Sequence, residues 1–308
     1  MSLDDTDQKI ITALQEDPQI TNKAIAGLVG ISEPTVAQRI QSLNDRKVMR
    51  IVAQRDLYSA GYNCMCFAWI AISGAPETVA DKISDLEETI SVSRCAGSPQ
   101  LLVNMRAADR YQLDRLVNEK LANIEGVERI KTSICLRILK FESGYGDLTA
   151  ELPEYAYSDL DGRDRDIIRL LLSDGRMSNR EIARRLEISE GNVRQRTRKL
   201  YENNSLRLGV VCDPHGLGKS AISIIRIAIK PAAAQSVISV LSKADEVAFL
   251  GSMSGDYNFW ALVQMESQLE ITNFVDRTIQ QVPGVIETDV RQLVEGYMHR
   301  YDLIRIIS

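Results

Sequence analysis

The sequence predicts an α+β fold in which a (winged) helix-turn-helix domain and a ferredoxin-like βαββαβ domain each occur twice along one chain. Two observations lead to this prediction. An internal repeat spans most of the chain, and within each copy the hydrophobic spacing changes from helical to alternating. The 308 residues are 44% hydrophobic and 26% charged, which is typical of a folded globular protein.

The internal repeat has a period of 157 residues. Without a gap, residues 3–43 and 160–200 are identical at 17 of 41 positions, where chance would give roughly two. This period is too long for a solenoid unit, so we interpret it as a tandem duplication of a two-domain module. The predicted segments are helix-turn-helix 1–60, ferredoxin-like 61–142, linker 143–159, helix-turn-helix 160–217 and ferredoxin-like 218–308.

The first domain of each copy has the spacing of three short helices. In copy one these are predicted at about 4–16, 21–28 and 33–45. Ser32 is a natural N-cap for the third helix, and Pro34 lies in its first turn, where a missing N–H costs little. Two helices joined by a tight turn, with polar residues on the second, are typical of a helix-turn-helix.

The third helix of copy two has an apolar face and a polar face. Val193, Thr197 and Leu200 share one side at helical spacing. The opposite side carries polar residues that can read base edges in a major groove, with Arg196 on the flank. A solvated helix face is the alternative interpretation. The polar residues are Asn192, Arg194, Gln195, Arg198 and Lys199.

The two helix-turn-helix copies differ in charge. Residues 3–50 hold six bases and seven acids, a net −1, whereas residues 160–207 hold twelve bases and eight acids, a net +4. Because phosphate neutralisation supplies much of DNA affinity, we predict that the second copy binds DNA more strongly. The predicted DNA contacts are Arg184, Arg185, Ser189, Asn192, Arg194, Gln195, Arg196, Arg198 and Lys199 in copy two, and Thr35, Gln38 and Arg39 in copy one.

The second domain of each copy reads as βαββαβ. In copy one the segments are 63–73, 76–89, 91–97, 100–107, 109–124 and 127–141, and in copy two they are 221–230, 231–244, 247–253, 257–266, 268–281 and 285–294. Helices on one face of the sheet leave the other face bare. Cys64, Cys66, Ala68 and Ile70 would share a face, as would Ile222, Ile224 and Arg226. A bare apolar face implies pairing with another sheet, and the two copies could pair with each other.

Composition excludes several classes of function. A net charge of −5 and a pI near 5.3 exclude a uniformly basic surface. Five cysteines without a C-x-x-C, and only His215 and His299, leave little for metal ligation, so we expect no metal and no cofactor. We expect no membrane span and, from the acidic start without a signal pattern, a cytoplasmic location.

The order and spacing of short motifs identify a family. In copy two they are Leu160-Asp161-x-x-Asp164-x-x-Ile167-Ile168-x-x-Leu171, Ile182-Ala183, Ile188-Ser189-x-x-x-Val193-x-x-Arg196 and Gly255-Asp256-Tyr257-Asn258. With copy one's matching set, the chain resembles the Lrp/AsnC (feast/famine) transcription regulators over almost its whole length. The resemblance implies double-stranded DNA as a partner, assembly through the second domain as a homo-oligomer, and a small amino acid-like effector.

The resemblance places the effector near the turn Gly255-Asp256-Tyr257-Asn258. The Asp256 carboxylate could meet an effector ammonium, with backbone N–H groups of the turn nearby. The alternative is that Gly255 and Asp256 only form a β-hairpin turn. Copy one has residues 97–100, Gly-Ser-Pro-Gln, at this place and lacks the acid. We therefore expect one working effector site and one degraded site.

Two other functions compete with a regulator. The sirohaem decarboxylases resemble the same two-domain architecture and act on a tetrapyrrole, which needs clustered His and Arg side chains. Here neither His215 nor His299 is close in sequence to the turn at 255–258. The other alternative is a ligand sensor that has lost DNA binding, against which the arginines of copy two's third helix argue.

Overall fold

The computed structural model describes residues 3–141, 144, 160–214 and 216–304. These residues form two compact units, and each unit contains parts of both sequence copies. The first unit contains the described residues up to 61, from 144 to 217 and from 301 to 304. The second contains residues 62–141 and 218–300.

The helices and strands occur in the same order in both copies, as the repeat predicts. The α-helices are α1 (Asp5–Glu16), α2 (Asn22–Val29), α3 (Glu33–Asp45), α4 (Pro76–Ser84), α5 (Arg110–Arg115), α6 (Gly162–Ser173), α7 (Asn179–Leu186), α8 (Glu190–Glu202), α9 (Ala234–Leu241) and α10 (Gln268–Phe274). The strands are β1 (Met49–Asp56), β2 (Cys64–Ile72), β3 (Thr89–Cys95), β4 (Leu101–Ala107), β5 (Val127–Phe141), β6 (Leu206–Cys212), β7 (Ala221–Ile229), β8 (Val247–Met253), β9 (Phe259–Met265), β10 (Val285–His299) and β11 (Leu303–Ile304).

The three helices of each helix-turn-helix domain are confirmed. In copy one α1, α2 and α3 begin and end within one residue of the prediction. The side chain of Ser32 caps α3 by accepting from the backbone N–H of Thr35, and Pro34 lies in the first turn. Ser189 caps α8 in the same way, because its hydroxyl accepts from the N–H of Asn192 at 3.2 Å. These caps satisfy N–H groups that a helix leaves unpaired.

Strands that follow the two helix-turn-helix motifs join them into one unit. β1 and β6 are antiparallel from Met49 opposite Cys212 to Arg55 opposite Leu206. The short strand β11 adds to the other edge of β1 in parallel. Tyr301 is buried against Val52 and Val211, and its backbone carbonyl accepts from Gln54 Nε2 at 2.6 Å. The strand that follows each helix-turn-helix motif, β1 in copy one and β6 in copy two, is thus part of a shared three-stranded sheet.

The eight strands of the two ferredoxin-like domains form a closed barrel in the order β10-β3-β4-β2-β5-β8-β9-β7. Each copy contributes four adjacent strands. The copies join at two antiparallel seams, where β5 pairs with β8 and β10 pairs with β3. The predicted pairing of the two copies within one chain is therefore confirmed, and it leaves no unpaired edge in this sheet.

The face of β2 that was expected to be bare is instead covered by helices. Cys66, Ala68 and Ile70 do share a face, but they pack against Val79 and Ile83 of α4. The opposite face, which carries Phe67 and Trp69, meets copy two. The prediction was wrong on this point because both faces of β2 are apolar, so alternation could not tell which face the helices cover.

Aromatic side chains fill the layer between the two copies. The ring centroid of Phe67 lies 5.5 Å from that of Phe249 and 5.3 Å from that of Trp260. Trp69 lies 5.7 Å from Trp260. These tilted contacts are in the range that stabilises aromatic pairs.

Several predicted helices are shorter than expected. α4 ends at Ser84, five residues before the predicted end, and α9 follows a single 3₁₀ turn over Pro231–Ala233. α5 and α10 each continue as a π-helical turn, Leu116–Lys120 and Val275–Ile279. Within the described parts of the chain, none of the helices has the length and apolarity that crossing a membrane requires.

Candidate DNA-binding and effector sites

The polar face of α8, which carries predicted DNA contacts, is exposed. Val193 and Leu200 are buried and Thr197 is half-buried, so one side of the helix packs on the domain. The polar side chains on the opposite side are exposed. They are Asn192, Arg194, Gln195, Arg198 and Lys199.

Four of the predicted DNA-contacting arginines of copy two have an acidic neighbour on the same helix. Arg184 and Arg185 both donate to Glu181 Oε1 at 2.7 Å, and these hydrogen bonds lower the pKa of Glu181 to about 2. Arg194 lies 3.0 Å from Glu190, and Arg198 makes a similar contact with Glu202 at 3.6 Å. Such exposed pairs are worth little in water, so a phosphate could replace the carboxylate.

Arg196 has a different environment from the other arginines of α8. Its Nη1 donates to Asp161 at 2.6 Å and to Asp164 at 2.7 Å, while its Nε donates to Asn192. Asp161 is also the N-cap of α6. Arg196 therefore holds α8 against the start of α6. DNA contact by Arg196 stays a prediction.

The candidate DNA contacts of copy one are less exposed and less charged. Arg39 repeats the Arg196 contact, donating from Nη1 to Asp4 at 2.8 Å and to Asp7 at 2.7 Å. Thr35 is half-buried, and its hydroxyl lies 2.7 Å from that of Ser32. Gln38 is exposed. DNA contact by these residues also stays a prediction.

The turn between β8 and β9 carries the predicted effector residues. Gly255 has φ +104°, a conformation that favours glycine. The Asp256 carboxylate is 77% exposed and lies 3.1 Å from Lys131 Nζ on β5 of copy one. The Tyr257 hydroxyl donates to Glu287 at 2.7 Å, and this hydrogen bond is the main reason that its pKa is raised.

Asn258 has a structural role in this turn. Its Oδ1 accepts from the backbone N–H of Ile229 at 2.9 Å. In copy one, Gln100 Oε1 accepts from the N–H of Ile72 at 3.2 Å at the equivalent place. Both copies have this hydrogen bond, although only copy two has the acidic residue Asp256 in the turn. We therefore infer that Asn258 holds the turn against the neighbouring strand.

A cluster around Arg226 was not predicted as a site. Arg226 is 14% exposed and forms an ion pair with Asp289. Its guanidinium carbon lies 4.6 Å from the ring centroid of Tyr257, 5.3 Å from that of Trp69 and 5.9 Å from that of Trp260. Distances of this kind are typical of cation–π contacts. The available signal was that Arg226 is the one charged residue of β7, among mostly apolar residues.

Arg176 was also missed, and it links the two helix-turn-helix domains. It precedes α7, and its guanidinium donates to the carbonyls of Pro18 and Ile20 and to Asn22 Oδ1. Burial lowers its pKa. Copy one has Gln19 at the equivalent position. Comparison of the two copies therefore could not predict this contact.

Family models match four segments of the chain in the order that the fold shows. An AsnC-type helix-turn-helix domain matches residues 3–44, and a winged helix-turn-helix DNA-binding domain matches 160–204. The Lrp/AsnC ligand binding domain matches both 65–145 and 222–302, which together exceed half of the chain. The chain belongs to the Lrp/AsnC family. As a member it is a DNA-binding regulator that carries a ligand-binding domain in each copy.

Curated relatives of the Lrp/AsnC family align with about half of the chain. The HTH-type transcriptional regulator FL11 of Pyrococcus horikoshii is 32% identical over 145 residues, which cover 47% of this chain and 95% of FL11. The HTH-type transcriptional regulator Ptr1 of Methanocaldococcus jannaschii is 35% identical over 127 residues, 41% of this chain and 86% of Ptr1. Nearly the whole of each regulator thus corresponds to less than half of this chain.

A solved structure has a similar fold over nearly the whole chain. The sirohaem decarboxylase NirDL has a TM-score of 0.66 at 16% identity, covering 96% of this chain and 93% of NirDL. NirDL with an iron-uroporphyrin III analogue has a TM-score of 0.65 at 17% identity, covering 98% of this chain and 94% of that one. At these identities the likeness shows a shared fold.

Proposed function

We propose that this regulator binds double-stranded DNA mainly through the helix-turn-helix domain of copy two. The observation that supports this most directly is the exposed polar face of α8, which presents Arg194, Gln195 and Arg198 on a domain of net positive charge. Side chains of these types match the hydrogen-bonding groups of base edges and phosphates.

The equivalent face of copy one supports the same assignment. Ala37 and Gln41 stand where copy two has Arg194 and Arg198, and Gln41 donates to Asp45 at 2.8 Å. Copy one therefore lacks two cations at the places where copy two offers them. Each lost phosphate contact weakens binding and lowers its dependence on salt.

Fluorescence anisotropy with a cognate DNA fragment over a range of salt concentrations tests this proposal. We expect Arg194→Ala with Arg198→Ala to weaken binding and to lower the slope of log affinity against log salt by about two, one for each phosphate contact. The matched control is Gln41→Ala in copy one, at the equivalent of Arg198, which should leave the slope unchanged. An unchanged affinity in the arginine variant would contradict the proposal.

We further propose that the turn 255–258 binds an amino acid-like effector, with Asp256 as the partner of its ammonium group. The carboxylate is exposed, and its present partner Lys131 is also exposed, so an ammonium ligand could take the place of that lysine. Copy one has Ser98 near this place and lacks the charge. Asn258 is assigned to the structure of the turn.

Calorimetry with a panel of amino acids tests the effector site. We expect one site for each chain, and we expect Asp256→Asn to weaken binding by roughly tenfold, since a charge-assisted hydrogen bond is lost. Ser98→Ala is the matched control in copy one. Equal affinities in the wild type and in Asp256→Asn would remove Asp256 from the site.

We propose a regulator rather than an enzyme, although the fold shared with NirDL makes a sirohaem decarboxylase the specific alternative. His299 lies in β10 opposite Ser91 of β3, away from the turn 255–258 in sequence, and His215 falls outside the described residues. Absorption spectroscopy of the purified protein with sirohaem separates the two functions. Conversion of sirohaem would favour the enzyme.

A homo-oligomer also stays part of the proposal. Exposed apolar side chains on the long strands β5 and β10 support association of the ferredoxin-like domains with another molecule. They are Ile134, Leu136, Val290 and Val294.

A further inference from the structure

The two seams of the barrel are related by the duplication. In this part of the domains, equivalent residues of the two copies are 158 positions apart. Arg137 on β5 lies opposite Ser252 on β8, and Glu295 on β10 lies opposite Arg94 on β3. Arg137 is the equivalent of Glu295, and Arg94 is the equivalent of Ser252, so the two seams have the same geometry. The same geometry would allow a copy of one chain to pair with the identical copy of a second chain.

Charges across the seams join a cation of copy one to an acid of copy two. Arg94 Nη1 lies 3.7 Å from Glu295 Oε2, and Lys131 Nζ lies 3.1 Å from Asp256 Oδ2. Arg94 also lies 3.7 Å from Glu77 of its own copy. Both seam contacts therefore depend on the two copies being different.

Pairing of identical copies would place like charges together. The equivalent of Glu295 in copy one is Arg137, so two copy-one sheets would place Arg94 opposite Arg137. The equivalent of Lys131 in copy two is Asp289, so two copy-two sheets would bring Asp256 towards Asp289. Like charges opposite each other in a sheet are destabilising.

The layer between the sheets has the same asymmetry. Trp69 of β2 and Arg226 of β7 are equivalent positions, 157 residues apart, and they contact each other at 5.3 Å. Two copy-two sheets would bring a second Arg226 to the place of Trp69. Two guanidinium groups would then share a site in which Arg226 is only 14% exposed, and its contact with the Trp69 ring would be lost.

We propose that these contacts make each ferredoxin-like domain selective for the other copy, so that the barrel forms from unlike halves and not from identical halves of two chains. The seam charges and the Arg226–Trp69 contact favour the unlike pair and penalise both like pairs. Specificity between similar partners commonly depends on such a combination of attraction and repulsion. Each ferredoxin-like domain thus recognises the ferredoxin-like domain of the other copy, which has a related but different sequence.

Native cysteines offer a reporter for like pairing. In the barrel Cys95 lies opposite Leu293, and Cys135 lies opposite Met253. Because Cys135 is the equivalent of Leu293, a pair of copy-one sheets from two chains would put Cys95 opposite Cys135. Residues opposite each other on antiparallel strands are within reach of a disulfide. An interchain link between Cys95 and Cys135 therefore reports the like pair.

The experiment refolds a mixture of isotope-labelled and unlabelled full-length chains under mild oxidation. The protein concentration is high, because the two copies of one chain are linked and this linkage favours their pairing with each other. Mass spectrometry then counts Cys95–Cys135 links that join a labelled to an unlabelled chain. We expect very few in the wild type. Leu293→Cys, which lies opposite Cys95 in the native barrel, is the positive control and should form an intrachain link.

Reversing the copy-one charges should increase like pairing. In Arg94→Glu with Lys131→Glu both seam contacts become repulsive, while two copy-one sheets gain an attraction between Glu and Arg137. We expect interchain links to rise about threefold or more. Adding Asp256→Lys and Glu295→Arg restores opposite charges across both seams and keeps the wild-type net charge. We expect this quadruple variant to form fewer links and to have a higher urea midpoint than the double variant, while the contact between positions 94 and 77 stays lost.

The outcomes separate the proposal from an incidental surface arrangement. Links that stay as rare in the double variant as in the wild type would overturn it. If the double variant fails to refold, the quadruple variant decides: recovery of folding with few links supports the proposal, and continued failure contradicts it. Frequent interchain links in the wild type would also contradict it.

Discussion

Arg196 Nη1 donates to Asp164 at 2.7 Å, and Arg39 Nη1 donates to Asp7 at 2.7 Å in the other copy. In each domain the helix that is expected to lie on DNA is thereby fixed to the first turn of the first helix. Both copies have this contact, whereas positions 194 and 198 carry arginine in copy two and their equivalents 37 and 41 carry alanine and glutamine in copy one. The contact is therefore a structural feature of the helix-turn-helix domain in both copies, independent of the higher positive charge of copy two.

Replacing Arg196 should destabilise the first unit. Arg196→Ala leaves Asp161 and Asp164 without their shared cation, and we expect a loss of about 1 kcal/mol in the free energy of unfolding. Urea denaturation followed by circular dichroism measures this loss. Arg194→Ala, which removes only an exposed contact with Glu190, is the control and should change stability by less than about 0.5 kcal/mol. Equal effects of the two changes would contradict the assignment.

The same contact predicts a dependence on acid pH. The pKa of the Asp161 carboxyl is lowered from 3.8, first by the backbone N–H of Asp164 and then by Arg196. A lowered pKa in the folded state means that the stabilisation is complete above the unfolded value and is lost as the pH falls through the folded value. Urea midpoints should therefore fall below about pH 4. The fall should be smaller in Asp161→Asn, and an equal fall would contradict this origin.

Glu187 ends α7 in a left-handed conformation, with φ +54°, where copy one has Gly30 with φ +76°. A side chain in this region costs energy that glycine does not pay. We expect Glu187→Gly to raise the free energy of unfolding by up to about 1 kcal/mol, measured by urea denaturation. Glu190→Gly, at the start of α8, is the control and should destabilise. A destabilised Glu187→Gly would contradict the prediction.

Three cysteines should react slowly with thiol reagents in the native protein. Burial raises the pKa values of Cys66, Cys95 and Cys135 to about 12. At pH 8 these groups are therefore almost wholly protonated, and the thiolate is the reactive species. A chromogenic disulfide reagent should modify them in urea far faster than in buffer. Fast modification of all three without denaturant would contradict the burial.

Several elements could be predicted because their signal is local. The caps at Ser32 and Ser189, the apolar stripe of Val193 and Leu200, and the duplication itself are all visible in the order of residues. Helical spacing and side-chain capping act between residues a few positions apart, so the local sequence is enough to predict these features. The polar face of α8 followed from the same periodicity.

Other contacts could not be predicted because their partners are remote in sequence. Arg176 meets the carbonyls of Pro18 and Ile20 more than 150 residues away, and Lys131 meets Asp256 after 125 residues. The orientation of β2 depended on which of two apolar faces α4 covers. No local pattern separates those alternatives, since hydrophobic burial is non-directional.

The amino-acid order alone determined that this chain consists of two diverged copies, which elements each copy forms, and which copy carries the cationic helix. Only the tertiary structure decided that the sheets close into one barrel with unlike charges across its seams, and that Arg226 meets Trp69. The physical reason is distance: spacing and capping operate along the chain, whereas ion pairs and aromatic contacts form between strands that folding alone brings together.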